Sequence, residues 1–119
     1  MDLTQPLKDL VGKVPGAIGA VLIDSQGEAI THFSVNDENR RMRLISAYHR
    51  IWLNDCLLMT EQMRLGKLEL MMQRYETGTV LVKALKDNHA LVLIGESELF
   101  LGQGLLHLEM IGSVINEDL

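Results

Sequence analysis

Aromatic residues are scarce in this chain of 119 residues, where Trp, Tyr and Phe together make up 4%. Proteins that bind single-stranded nucleic acid stack the bases on aromatic side chains, and this sequence offers few such side chains. The formal net charge of −5 at pH 7 also argues against the basic stripe that phosphate binding requires. We therefore expect no nucleic-acid partner.

The sequence also lacks the motifs that mark common catalytic and phosphate sites. G-x-S-x-G, G-x-x-x-x-G-K-[ST] and G-x-G-x-x-G are all absent. Two carboxylates, Asp24 and Glu28, lie near one predicted turn, where carboxylates are more often solvated than catalytic. Four histidines are present, none at metal-ligand spacing from another: His32, His49, His89 and His107. We expect no enzymatic activity, no cofactor and no bound metal.

Cysteine occurs once, as Cys56, so no disulfide can form within the chain. We interpret it as a small buried apolar side chain. Residues 1–12 lack the basic and apolar regions of a signal peptide. No apolar run approaches the ~20 residues that a membrane-spanning helix needs. We expect a cytoplasmic protein that does not insert into a membrane.

One long helix is predicted from Asp37 to Leu65, a segment without Gly or Pro that ends before Gly66. Two apolar stripes run along it at helical spacing. The first contains Ile45, Tyr48, Trp52, Cys56, Met59 and Met63, and the second contains Leu44, Ala47, Ile51, Leu58 and Leu65. Because one sheet covers one stripe, the other stripe predicts a further partner, which we interpret as a second copy of the chain.

A third face of this helix is mostly polar, with Arg43, Ser46, Arg50, Asn54, Glu61 and Arg64 around Leu53 and Leu57. A leucine pair ringed by arginines is typical of a docking surface, although solvated faces also carry incidental leucines. From this pattern we predict four partner-binding residues: Arg43, Arg50, Leu53 and Leu57.

Strands and shorter helices account for the rest of the chain. Apolar runs bounded by turn residues predict strands at 17–24, 28–35, 67–76, 78–86 and 89–96. Helices are expected at about 4–13 and 98–116, capped by Thr4 and Ser97. The order α-β-β-α-β-β-β-α predicts a single α/β (α+β) domain over residues 1–119. Its five-stranded, mainly antiparallel sheet would have the long second helix on one face and the two terminal helices on the other.

This order, with the residues that fill it, resembles the roadblock family of dynein light chain and bacterial GTPase-regulator domains. The resemblance begins with the hairpin VPGAIGAVLIDSQGEAI, in which a Gly-hydrophobic strand ends in Asp-x-x-Gly. It continues through the long second helix, the three-strand meander ending HALVLIGE and the closing segment LFLGQGLLHLEMI. It covers almost the whole chain and includes no catalytic signature. It implies a fold like that of profilin and the longins.

The resemblance further implies a homodimer in which the long helices pack antiparallel and the third strands pair edge to edge. Such an interface is consistent with the second apolar stripe and with an apolar edge strand, which proteins usually protect by pairing. The implied interface residues are Leu44, Ile51, Leu58, Leu68, Leu70 and Met72.

The function that the resemblance implies is a non-catalytic platform that binds a small Ras-like GTPase and modulates its GTP hydrolysis or localisation. One alternative is a structural scaffold subunit of a larger complex with no effect on hydrolysis. Another is a sensory module that binds a small ligand on its sheet. The sensory module would need a cavity with convergent polar groups, which the apolar inner strands do not indicate.

Overall fold

The computed structural model describes residues 2–119. Over this range the chain forms three α-helices, five β-strands and one 3-10 turn. Their bounds are α1 (Thr4–Lys13), β1 (Ala17–Ile23), β2 (Ala29–Ser34), α2 (Asn39–Met63), β3 (Leu70–Tyr75), β4 (Gly78–Ala84), the 3-10 turn (Lys86–Asn88), β5 (Ala90–Gly95) and α3 (Leu101–Asn116). The predicted order of elements is confirmed.

The five strands form one sheet in the order β2-β1-β5-β4-β3. Every neighbouring pair is antiparallel, and the pairs β1–β2, β3–β4 and β4–β5 are joined by short connections. The β1–β2 hairpin and the β3–β4–β5 meander therefore form as predicted. The strands β2 and β3 form the two edges of the sheet.

The two faces of the sheet are covered by different helices, as predicted. Leu22 and Leu93 point to the face where α1 and α3 pack. Val21 and Val92, their neighbours in sequence, point to the opposite face and pack with α2. This alternation follows from the two-residue period of a strand. Within residues 2–119, no helix is both long enough and apolar enough to cross a membrane.

The predicted helix caps are wrong. Thr4 is the first residue of α1, and no side chain caps α2 or α3. The start of α3 moves from the predicted position to Leu101 because the chain first makes a turn that buries Leu99 at 3% exposure. At the end of α2, Arg64 already adopts a left-handed conformation with φ 56°, so the helix stops at Met63, before Gly66.

Candidate functional site

The side of α2 that faces the sheet is more polar than either predicted stripe. Five buried residues form it, and each lies three or four positions from another of the set: Met42, Ser46, His49, Arg50 and Leu53. Residues at this spacing share one face of a helix. Neither apolar stripe as a whole therefore covers the sheet.

Polar side chains are buried on this face because most of them find partners within the helix itself. Ser46 Oγ donates a hydrogen bond to the Met42 carbonyl oxygen at 2.8 Å. Arg50 Nε donates to Asn54 Oδ1 at 3.0 Å. Burial lowers the pKa of Arg50, an effect that the negative charge of Asp24 opposes. Such local bonds offset much of the cost of removing these groups from water.

This orientation contradicts the predicted position of three partner-binding residues. Leu53 is 1% exposed and Arg50 is 3% exposed, so neither lies on an outer face. Leu57 is half-buried and packs against the same core. The prediction failed because it assigned an arginine-rich face to solvent, whereas the aliphatic stem of an arginine packs well under a helix. Only Arg43 is exposed as predicted, in an open groove that Leu44 also lines.

The opposite side of α2 is apolar and exposed, and we refer to it as the outer face of α2. Its large apolar side chains, each between 44% and 63% exposed, are Leu44, Tyr48, Ile51, Trp52, Leu58 and Met59. They come from both predicted stripes, because the two stripes meet on the side away from the sheet. Contiguous apolar surface of this kind is uncommon on monomers and marks association sites.

The predicted dimer-interface residues divide between this face and β3. Leu44, Ile51 and Leu58 lie on the outer face of α2. On the edge strand, Leu70 is 39% exposed and Met72 is 49% exposed. The remaining residue, Leu68, is half-buried and packs with the core beneath α2. Five of the six predicted residues are therefore accessible to a partner.

The backbone of β3 leaves hydrogen-bonding groups open at the edge of the sheet. The Ala84 N–H donates to the Glu69 carbonyl oxygen at 2.9 Å, which makes these two residues a hydrogen-bonded pair. Pairs alternate along an antiparallel ladder, and Leu70 lies opposite Lys83 in the next, non-bonded pair. The N–H and carbonyl groups of Leu70 and Met72 therefore point away from the sheet, where another strand can bind them. We refer to this side of β3 as the β3 edge.

A partly buried hydrogen bond connects α2 to β3. His49 Nδ1 lies 2.8 Å from the Ile45 carbonyl oxygen and therefore donates to it. In the neutral ring this leaves Nε2 as an acceptor for the Tyr75 hydroxyl, 2.9 Å away. Burial lowers the pKa of His49 and raises the pKa of Tyr75, so both side chains are neutral at neutral pH. The ring of Trp52 packs edge-on against His49 with 5.0 Å between centroids.

The carboxylate pair noted in the sequence forms a turn. Asp24 Oδ1 accepts the backbone N–H groups of Gln26 and Glu28 at 2.9 and 3.0 Å. These bonds lower the pKa of Asp24 and hold it as a carboxylate. Among the side chains of residues 2–119, no three His, Cys, Asp or Glu groups come close enough to hold a metal ion.

Neither a protein-family model nor a curated relative matches the sequence. Solved structures are similar over nearly the whole chain. A Roadblock/LC7 domain from Streptomyces avermitilis has a TM-score of 0.85 at 14% identity, covering 98% of this chain and 97% of that one. The gliding protein MglB from Thermus thermophilus has a TM-score of 0.86 at 14% identity, covering 97% and 86%. Myxococcus xanthus MglB has a TM-score of 0.85 at 11% identity, covering 97% and 92%.

These similarities agree with the element order, the antiparallel sheet and the placement of the three helices. The chain therefore has the fold of Roadblock/LC7 domains.

Proposed function

We propose that this chain forms a two-fold homodimer through the outer face of α2 and the β3 edge. The observation that carries the proposal is the exposure of six large apolar side chains on the side of α2 that faces away from its own sheet. Packing against the same helix of a second copy would remove them from water, at about 25 cal/mol for each Å² of apolar surface buried.

The β3 edge supports the same arrangement. A two-fold axis places an edge strand against its own copy in antiparallel orientation, which is the pairing used throughout this sheet. The outward backbone groups of Leu70 and Met72 would then be paired, and the two sheets would become one. Helix packing and strand pairing would together protect the two surfaces that the single chain leaves open.

The dimer, in our proposal, acts as a non-catalytic platform for a small Ras-like GTPase in the cytoplasm. The fold and the resemblance to the roadblock family support this class of partner. A platform without chemistry of its own can raise a partner's rate by binding preferentially the conformation of the switch loops that is competent for hydrolysis. Arg43, which is exposed near the start of α2 and lines an open groove with Arg40, supplies positive charge for an acidic surface of the partner.

The test measures GTP hydrolysis by a candidate Ras-like GTPase with and without this protein. We expect the protein to bind the GTP form and to change the hydrolysis rate, and Arg43→Glu to weaken binding at least about tenfold. The matched control is Lys13→Glu, which changes an exposed cation on the opposite layer of the domain. Binding without any change in rate would favour the scaffold alternative, and no binding to any nucleotide form would contradict both.

A further inference from the structure

A cleft of about 280 Å³ opens between the first half of α2 and the adjoining ends of β1, β4 and β5. The wall of the cleft is mainly apolar and branched, with Ile18 from β1, Ile45 from α2, Val80 from β4 and Ile94 from β5. The volume of the cleft is close to about 300 Å³, the lower end of the range for ligand pockets. An apolar group of several carbons would be removed from water there.

The rim of the cleft carries one charge of each sign. Among the described residues that line it, Arg41 is the one permanent cation and Glu96 is the one carboxylate. Both side chains are exposed. The exposed pair of Arg41 with Glu38 is loose, at 3.4 Å, and leaves other guanidinium donors free. A ligand with only a negative charge could bind Arg41 but would be repelled by Glu96. A ligand with only a positive charge could bind Glu96 but would be repelled by Arg41. A zwitterion satisfies both groups.

Besides the hydroxyls of Thr77 and Thr79, one uncharged hydrogen-bonded pair lines the cleft. The His49–Tyr75 pair lines the cleft, and its hydrogen bond uses the hydroxyl proton of Tyr75. The Tyr75 oxygen still has a free lone pair that can accept a hydrogen bond. An ammonium group supplies such a donor.

We propose that this cleft binds a free α-amino acid with an apolar side chain. The carboxylate binds Arg41, the ammonium group binds Glu96, and the side chain packs among Ile18, Ile45 and Ile94. The site is independent of the proposed GTPase platform, because it is defined by side chains of the single chain alone. It supplies the convergent polar groups over an apolar wall that a sensory module requires.

The test is isothermal titration of the purified full chain with L-leucine, and then with L-isoleucine, L-methionine and L-phenylalanine, each at millimolar concentration. We expect at least one to bind, and glycine, which has no side chain to fill the cleft, not to bind. Leucinamide lacks the carboxylate and 4-methylpentanoate lacks the ammonium group. Each should bind at least about tenfold more weakly than leucine, because each loses one charge-assisted contact.

Substitutions at the rim of the cleft test where the amino acid binds. Arg41→Gln and Glu96→Gln should each weaken binding about tenfold, while the exposed Arg43→Gln, whose side chain lies outside the cleft, should bind as the unmodified chain does. Failure of all four amino acids to bind would overturn the proposal. Equal binding of 4-methylpentanoate or leucinamide, or unchanged binding by both rim variants, would also overturn it. None of these measurements involves a GTPase, so the proposed function can fail or succeed separately.

Discussion

The Tyr75 hydroxyl donates a hydrogen bond to His49 Nε2 across 2.9 Å, and this bond joins the edge strand β3 to the middle of α2. The outer face of α2 and the β3 edge are the two surfaces through which we propose that the chain dimerises. Because the bond joins α2 to β3, it helps to hold the outer face of α2 in a fixed position relative to the β3 edge. A partner copy would meet both surfaces at once.

Replacing Tyr75 with Phe should lower the free energy of unfolding by about 1 kcal/mol, because the partly buried Nε2 of His49 loses its donor. Urea unfolding at a fixed protein concentration measures this loss. The matched control is Tyr48→Phe, which removes a hydroxyl from an exposed tyrosine and should change stability by less than about 0.5 kcal/mol. Equal effects of the two substitutions would contradict the role of the bond.

Acidification should destabilise the protein through His49. Burial lowers the folded-state pKa of His49 below its usual value of 6.5. Between the folded-state and the unfolded-state pKa of His49, the unfolded state therefore binds more protons. The stability that neutral His49 contributes is complete above the unfolded-state pKa and is lost as the pH falls. We expect the melting temperature to fall between about pH 7.5 and pH 5.5, and the fall to be smaller in His49→Gln. Parallel pH profiles for the two proteins would show that His49 is not responsible.

Replacing the buried Arg50 with Met should leave the fold intact and raise the free energy of unfolding by about 1 kcal/mol. The methionine keeps the apolar stem under α2 and removes a guanidinium whose burial is only partly offset by Asn54. Urea unfolding checks this, with Arg43→Met as the exposed control. A loss of more than about 1 kcal/mol in Arg50→Met would show that the buried charge stabilises the domain.

Met72→Pro should weaken the dimer while the single domain remains folded. Proline at this position removes an N–H that points away from β4, which is where an edge strand tolerates proline. Its neighbour Gln73 lies in a bonded pair with β4, so Gln73→Pro should instead destabilise the domain itself. Circular dichroism measures folding and sedimentation measures association. An unchanged dimer in Met72→Pro would remove the β3 edge from the interface.

The order of elements and the antiparallel sheet were predictable because turn residues and alternating apolar runs are local signals. The orientation of α2 was not. Periodicity assigns the most apolar stripe to the sheet, yet here the sheet receives Ser46, His49 and Arg50, and the outer face receives more apolar surface. The bonds that make this possible, such as Ser46 to the Met42 carbonyl, lie within the helix and leave no trace in hydrophobic spacing.

The cleft was also beyond prediction from sequence. Arg41 and Glu96 are far apart in the chain and share one rim because β1, β4 and β5 end together beside α2. The packing of α2 against the sheet brings Arg41 to the end of β5, which Glu96 follows. Signals within one helix or one strand are therefore readable from sequence, whereas a cleft that several elements build jointly is not.

Sedimentation velocity over a range of micromolar concentrations tests the proposed dimer most directly. The unmodified chain should sediment as a species of about twice its 13.4 kDa mass. Ile51→Glu, which places a carboxylate on the outer face of α2, should sediment as a monomer. The control Leu106→Glu, at an equally exposed leucine on α3, should remain dimeric. A 13.4 kDa monomer at every concentration, or a dimer unaffected by Ile51→Glu, would contradict the account.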